Sequence, residues 1–130
     1  MQKGTVILFL LVASLTGCQE EKGQNKIDVS VSEFEKRITK ENAYLLDVRT
    51  PDEVLEGVIE GAVVLNILGP EFKKQFRALP KNKIVYVYCK SGNRSRKAVI
   101  FLKEQGYDSV YHLDGGMDAW RNANKKIKQK

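Results

Sequence analysis

The residues best suited to chemistry form a loop that begins with a cysteine, Cys89-Lys90-Ser91-Gly92-Asn93-Arg94-Ser95. It follows an apolar run at 84–88 that predicts a strand, and it precedes a segment with helical spacing that ends at Gly106. In a strand–loop–helix arrangement, backbone N–H groups of the loop and the first helical turn converge on one point and stabilise an anion there. A thiol at that point loses its proton easily, because the same donors stabilise the thiolate. The loop therefore predicts a nucleophilic cysteine that handles a small anion.

The other residues of the loop have expected roles in binding that anion. Lys90 and Arg94 add positive charge that favours the thiolate and attracts an anionic substrate, although a loop lysine is also commonly just solvated. A cation at a helix start opposes the helix dipole, so Arg94 is predicted to interact with the anion. Gly92 is predicted to adopt a conformation that other residues avoid. Ser95 has two open interpretations, an anion-binding hydroxyl or a helix cap.

Strand and helix signals alternate along the rest of the chain. Apolar runs at 43–48, 62–65, 84–88 and 110–113 predict buried strands, with a short edge strand at 27–29. Helix signals lie between them, with capping pairs (Ser30 with Glu33, or Ser32 with Glu35), a start at Thr50-Pro51-Asp52-Glu53, and further segments at 71–78 and 117–120. This order predicts an α/β fold with a mostly parallel sheet and helices on both faces. Ligands bind beyond the carboxyl ends of such strands, and Cys89 lies at one of these ends.

The N-terminal segment has the features of an export signal. A positive start precedes an apolar run at 5–15, which is too short for a transmembrane helix of about 20 residues. Leu15-Thr16-Gly17-Cys18 then resembles the bacterial lipobox, in which the signal is cut before the cysteine and its thiol receives diacylglycerol. We therefore expect a signal peptide at 1–17, and a lipidated Cys18 with a polar tether at 18–26. An ordinary secretory signal or an uncleaved anchor is the alternative.

Export of the protein would affect the interpretation of its other cysteine, Cys89. The domain is expected to be lipid-anchored to a bacterial cell membrane, in the periplasm or on the outer face, with Cys89 as its free thiol. A leftover cysteine in an exported protein is either reactive or buried and inert. Its position at the end of a strand, facing a loop, favours a reactive thiol.

Charge and length limit the partners that we expect. The net charge of the 130-residue chain is +6, and four lysines lie in the last six residues. Such a basic end, here 123–130, is typical of a solvated tail, and binding to nucleic acid or anionic lipid is the less favoured interpretation. The chain has no basic stripe with interleaved aromatic residues and no zinc-ligand spacing, so no nucleic-acid partner is expected. We expect one domain that acts as a monomer.

Four motifs, in order and at suitable spacing, resemble the single-domain rhodanese family over residues 27–122. They are Leu46-Asp47-Val48-Arg49-Thr50-Pro51-Asp52-Glu53, Gly57-Val58-Ile59-Glu60-Gly61-Ala62, the loop at 89–95, and Asp114-Gly115-Gly116 with Trp120. The second motif departs from the family pattern Gly-His-Ile-Pro-Gly-Ala, since Val58 replaces the histidine and Glu60 the proline. The lost histidine is not part of the family's sulfur-transfer machinery, so the departure concerns local packing more than activity.

The resemblance implies a sulfurtransferase. The Cys89 thiolate would attack the outer sulfur of a donor such as thiosulfate, form a persulfide and release sulfite. Cyanide, a thiol or another protein would then accept the sulfur, with no metal or cofactor. Backbone donors at 90–95 would hold the persulfide. Asp47 and Arg49 would support the site by orienting one another and nearby loops.

Two alternatives stay open at this stage. A persulfide carrier or binding module that serves a partner protein would use the same Cys89. A phosphatase or arsenate reductase would need five residues between the cysteine and the arginine, whereas four lie between Cys89 and Arg94. His112, the single histidine, is interpreted as structural, and Trp120 as a core or lid residue.

The lipid-anchor prediction can be tested directly. Cys18→Ala removes the thiol that would carry the lipid, so we expect most of the protein to move from the membrane fraction to the soluble fraction. Fractionation followed by immunoblotting measures this distribution. Continued attachment of the variant would contradict the lipoprotein interpretation.

Overall fold

A parallel sheet of five strands organises the computed structural model, which describes residues 27–40 and 42–130. The strands are β1 (Asp28–Val29), β2 (Ala43–Asp47), β3 (Val63–Val64), β4 (Ile84–Tyr88) and β5 (Val110–Leu113), in the order β1-β5-β4-β2-β3. All pair in parallel, so their carboxyl ends share one edge of the sheet. The predicted α/β class with a parallel sheet is confirmed.

Helices cover both faces of this sheet. They are α1 (Val31–Ile38), α2 (Pro51–Leu55), α3 (Phe72–Gln75), α4 (Asn93–Glu104) and α5 (Gly116–Asn122), with a 3-10 turn at Phe76–Ala78. One core contains Val85, Val87 and Cys89 of the central region together with α4 residues, and the other contains Tyr86 and Tyr88. Because side chains alternate along a strand, Cys89 lies on the face that α4 covers.

Local sequence signals explain most of the element boundaries. Ser30 is the N-cap of α1, and its hydroxyl accepts the Glu33 N–H at 3.4 Å. Thr50 and Glu53 form the predicted capping box at α2. The segment predicted as one helix at 71–78 instead divides into α3 and the 3-10 turn, and its two phenylalanines are buried as predicted. The β2 and β3 strands are shorter than the predicted runs at 43–48 and 62–65.

The basic C-terminal segment, predicted as a solvated tail, lies partly against the domain. The backbones of Val58 and Lys128 exchange two hydrogen bonds, at 2.9 and 2.8 Å. The Trp120 indole donates to the Lys126 carbonyl at 3.0 Å, and Ile127 packs against one of the two cores. Gly57 has φ of +110°, and a side chain at this position would overlap Ile127. The folded unit therefore continues past the predicted boundary at 122, and the valine that replaces the family's histidine is buried beneath this segment.

Membrane attachment is not visible in the described ranges. None of the helices at 27–40 and 42–130 has the length and apolar character needed to cross a membrane. The predicted signal peptide, the lipidated Cys18 and the tether lie outside the described residues.

The docked tail predicts a measurable contribution to stability. Ile127→Ala removes part of a half-buried apolar contact, so we expect the free energy of unfolding to fall by about 1–2 kcal/mol. Lys130→Ala, at an exposed position in the same segment, is the control and should change it by less than about 0.5 kcal/mol. Equal values for both variants in chemical denaturation would contradict the docking of this segment.

Candidate active site

The cysteine loop lies at the carboxyl edge of the sheet, between β4 and α4. Cys89 directly follows Tyr88, and α4 begins at Asn93 with Gly92 as its N-cap. Gly92 has φ of +100°, and a Cβ there would lie 3.2 Å from the Gly115 nitrogen, so the position requires glycine on both grounds. Ser91 and Asn93 are exposed at the tip of the loop. The helix N-terminus therefore points at the cysteine, as the sequence predicted.

The sulfur of Cys89 is buried within this loop. Cys89 is 0% exposed, and the sequence, which predicts a reactive thiol, does not indicate this burial. The Gly92 N–H donates to Sγ at 3.1 Å, and the Ser95 hydroxyl lies 3.4 Å from Sγ on the other side. A substrate must therefore pass between atoms of the loop to reach the sulfur. Such a narrow approach favours small substrates.

Backbone contacts from α5 hold the start of the loop. The Met117 N–H donates to the Cys89 carbonyl at 2.8 Å, and the Asp118 N–H donates to the Lys90 carbonyl at 2.9 Å. This approach requires Gly116, because a Cβ there would lie 2.5 Å from both carbonyl oxygens. With two of its carbonyls bound to α5, the loop is held in a conformation in which the Gly92 N–H donates to the sulfur. The glycine pair in Asp114-Gly115-Gly116 was the sequence signal for this contact, but the sequence did not reveal its partner.

Both cations of the loop are paired with carboxylates. The Lys90 ammonium lies 3.0 Å from each carboxylate oxygen of Asp118, and its side chain is 55% exposed. The Arg94 guanidinium makes a bidentate ion pair with the Glu53 carboxylate, with N–O distances of 2.8 and 2.6 Å. Partner carboxylates thus offset the positive charge that the sequence assigned to the loop. Because these side-chain charges are paired, backbone N–H groups of the loop, such as that of Gly92, are the main remaining donors for an anion.

The Glu53 carboxylate connects α2 to the cysteine loop. Its oxygens accept both Arg94 hydrogen bonds, the Thr50 N–H at 2.9 Å and the Thr50 hydroxyl at 3.0 Å. The Arg94 guanidinium, followed by these Thr50 donors, outweighs the effect of burial and lowers the pKa of Glu53 to about 2. The hydrogen bonds to Glu53 in turn raise the pKa of Arg94, and the nearby Cys89 raises it by a smaller Coulombic effect.

Asp47 and Arg49 form a buried pair beside this connection. Both side chains are at most 2% exposed, and the closest contact joins Arg49 Nη2 to Asp47 Oδ2 at 2.7 Å. The guanidinium also donates to the carbonyls of Glu53 at 3.0 Å and Gly57 at 2.8 Å. The pair therefore fixes the backbone within α2 and just after it, and it supports the site through Glu53.

Ser95 and His112 meet beneath the loop. Ser95 is not the cap of α4; its buried hydroxyl lies 3.1 Å from His112 Nδ1 and 3.2 Å from the Gly92 carbonyl. The sequence predicts a structural role for His112. Its position beside β4, the strand that leads to Cys89, follows only from the register of the sheet. Among the residues that the structure describes, no three His, Cys, Asp or Glu side chains group as a metal site would.

Comparisons with known proteins give a family match and several solved structures with a similar fold. The model of the family described as Rhodanese-like domain matches residues 30–123, which include the whole cysteine loop. A sulfurtransferase of Allochromatium vinosum is 39% identical over 97 residues, covering 74% of this chain and 87% of that protein. The rhodanese-related protein of Thermoplasma volcanium has a TM-score of 0.72 at 26% identity, covering 79% of this chain and 98% of that one. Reduced CoADR-RHD of Bacillus anthracis has a TM-score of 0.69 at 30% identity, covering 78% and 18%.

The Glu53–Arg94 pair predicts a pH-dependent stability. Glu53→Gln should lower the free energy of unfolding by about 1–3 kcal/mol near neutral pH, because it leaves a half-buried guanidinium without its anion. A lowered carboxyl pKa stabilises the fold above the unfolded value of about 4.5, so the difference between the two proteins should shrink as the pH falls from there towards 2. Chemical denaturation across this pH range measures it.

Glu71→Gln provides the matched control, since it removes a carboxylate from a well-exposed ion pair with Lys74. We expect it to change stability by less than about 1 kcal/mol at any pH. If the two variants behaved alike, the Glu53–Arg94 pair would not stabilise the connection between α2 and the loop.

Proposed function

The chain belongs to the rhodanese-like family and acts in sulfur transfer, and on that basis we propose that it carries sulfane sulfur as a persulfide on Cys89. The observation that carries this proposal is the environment of Sγ, which has a backbone N–H donor at 3.1 Å and a hydroxyl at 3.4 Å at the start of α4. Those groups stabilise a thiolate and then the terminal sulfur of a persulfide. Thiosulfate is the donor that we propose.

The proposed reaction has two displacement steps. In the first, the Cys89 thiolate attacks the outer sulfur of thiosulfate, a new S–S bond forms, and sulfite leaves with the electron pair of the broken S–S bond. In the second, a thiol or cyanide attacks the terminal sulfur of the persulfide, and the Cys89 thiolate is released. Neither step requires an external oxidant or reductant.

In this proposal, the loop residues have distinct roles. The Gly92 N–H, which contacts the sulfur in the loop held by α5, compensates negative charge on the donor and the persulfide. Arg94, paired with Glu53, keeps the first turn of α4 in place and contributes a partly neutralised positive charge. Burial of Sγ restricts access to small donors and to acceptors with a slender nucleophilic group.

The same geometry disfavours phosphoryl or arsenate chemistry. A tetrahedral oxyanion needs a longer loop that wraps around it and an arginine that faces it. Here four residues separate Cys89 from Arg94, and both prongs of the guanidinium contact Glu53. Arg96, two residues further on, pairs with Asp28 at 2.7 Å. Neither arginine is therefore free to bind an oxyanion.

We also propose that the domain works outside the cytoplasm. The support is the N-terminal sequence alone, with its short apolar run followed by Leu15-Thr16-Gly17-Cys18. A lipid on Cys18 would hold the domain at a bacterial membrane surface and leave Cys89 as the reactive thiol.

Mass spectrometry of the full chain tests the sulfur-transfer proposal. Incubation with thiosulfate should add one sulfur atom to the Cys89 peptide, and cyanide should then remove it as thiocyanate. Cys89→Ser should lose both signals completely, while Cys18→Ala should retain them. Absence of the adduct and of thiocyanate, with hydrolysis of a phosphate ester instead, would overturn the proposal.

A further inference from the structure

We propose that His112 and Asp28 act as a proton-accepting pair for Cys89, connected to the sulfur through the hydroxyl of Ser95. The inference rests on the proposed function, because it explains how the nucleophile of that reaction becomes charged. Hydrogen-bonding contacts link the four side chains in one row. Cys89 Sγ lies 3.4 Å from Ser95 Oγ, Oγ lies 3.1 Å from His112 Nδ1, and Nε2 lies 2.6 Å from Asp28 Oδ1.

The sheet register places these groups together. Asp28 on the edge strand β1 is directly opposite His112 on β5, and His112 is opposite Val87, two residues before Cys89 on β4. Side chains two residues apart on a strand share a face, so Cys89 and His112 both lie on the side that α4 covers. Ser95, in the first turn of α4, fills the gap between them.

The carboxylate of Asp28 determines which nitrogen of His112 carries the proton. Arg96 Nη2 lies 2.7 Å from Asp28 Oδ2, so Asp28 is held as an anion by a partner on α4. An anionic oxygen at 2.6 Å requires a proton on Nε2. In neutral imidazole Nδ1 is then the acceptor, and the Ser95 hydroxyl donates to it in preference to the Gly92 carbonyl at 3.2 Å. Ser95 is thereby left with a lone pair for the Cys89 S–H.

Proton transfer along this row is balanced. The Ser95 hydroxyl proton moves to His112 Nδ1 as the Cys89 S–H proton moves to Ser95 Oγ. One S–H and one O–H bond break, while one O–H and one N–H bond form. The products are a thiolate that accepts hydrogen bonds from Ser95 and from the Gly92 N–H, and an imidazolium that donates to Asp28. No group outside the protein is needed.

Burial of these side chains makes an internal proton acceptor important for the reactivity of Cys89. Cys89, Ser95 and His112 are each at most 1% exposed, so a proton acceptor within the protein is closer to the sulfur than bulk water is. A thiolate and an imidazolium formed there stabilise one another. Asp28 of β1 also stabilises the imidazolium, and Arg94, whose charge interacts with that of Cys89, stabilises the thiolate. Asp28, with its side chain 20% exposed, is where the row reaches solvent.

Alkylation of the full chain tests this relay without any sulfur donor. Iodoacetamide reacts with the thiolate, and peptide mass spectrometry measures its rate at Cys89 as a function of pH. Asp28→Asn removes the charge that stabilises the imidazolium, and His112→Asn keeps an acceptor near Nδ1 that cannot take a proton. Each should slow alkylation near neutral pH by about tenfold and move the pH profile upwards.

Glu33→Gln is the matched control, because Glu33 lines the same surface cavity as Asp28 but contacts Arg37. It should leave the profile unchanged. Ser95→Ala supplies the decisive background, since it breaks the row while leaving His112 and Asp28 in place. In that background, Asp28→Asn should have almost no further effect on the alkylation rate.

The outcomes separate the relay from the proposed function. An unchanged profile in Asp28→Asn, or an equal effect of Asp28→Asn with and without Ser95, would overturn the relay even where thiosulfate still forms the persulfide. A shifted profile without persulfide formation would support the relay and overturn sulfur transfer. Asp28 lies on the edge strand β1 with its side chain partly exposed, so its variant carries the test even where His112→Asn does not fold.

Discussion

The architecture of the site depends on the contact between the cysteine loop and the start of α5. Two loop carbonyls, of Cys89 and Lys90, accept the N–H groups of Met117 and Asp118 at 2.8 and 2.9 Å. Gly116 allows this approach because it has no Cβ, and φ of +59° makes other residues unfavourable there. With those carbonyls occupied, the loop presents the Gly92 N–H to the sulfur at 3.1 Å. The chemistry of Cys89 is therefore set by a backbone contact with an element 27 residues further along the chain.

Charge around the sulfur is arranged in pairs. Arg94 binds Glu53, Lys90 binds Asp118, and Arg96 binds Asp28, so these three cations each have a carboxylate partner. A fully uncompensated cluster of cations would bind any small anion tightly and release it slowly. Paired cations leave the directional donors, namely the Gly92 N–H and the Ser95 hydroxyl, to act on the reacting sulfur.

Much of this could be predicted from the sequence, because strand runs, caps and glycines are local signals. The β4 strand, the capping box at Thr50 and the cysteine loop lie where the pattern predicts them. The partners of Arg94 and Ser95 could not be predicted, since Glu53 is 41 residues away and His112 is 17 residues away and each depends on sheet register. The buried thiol and the docked tail at 125–128 likewise arise from tertiary packing, on which single-sequence patterns carry no information.

The central claim is that Cys89 holds a sulfur atom under the loop, and a crystal structure of the thiosulfate-treated protein tests it most directly. We expect one additional atom bonded to Cys89 Sγ, within hydrogen-bonding distance of backbone N–H groups between Lys90 and Ser95. An unmodified Sγ, or an intact thiosulfate bound by Lys90 or Arg94 away from the sulfur, would contradict it.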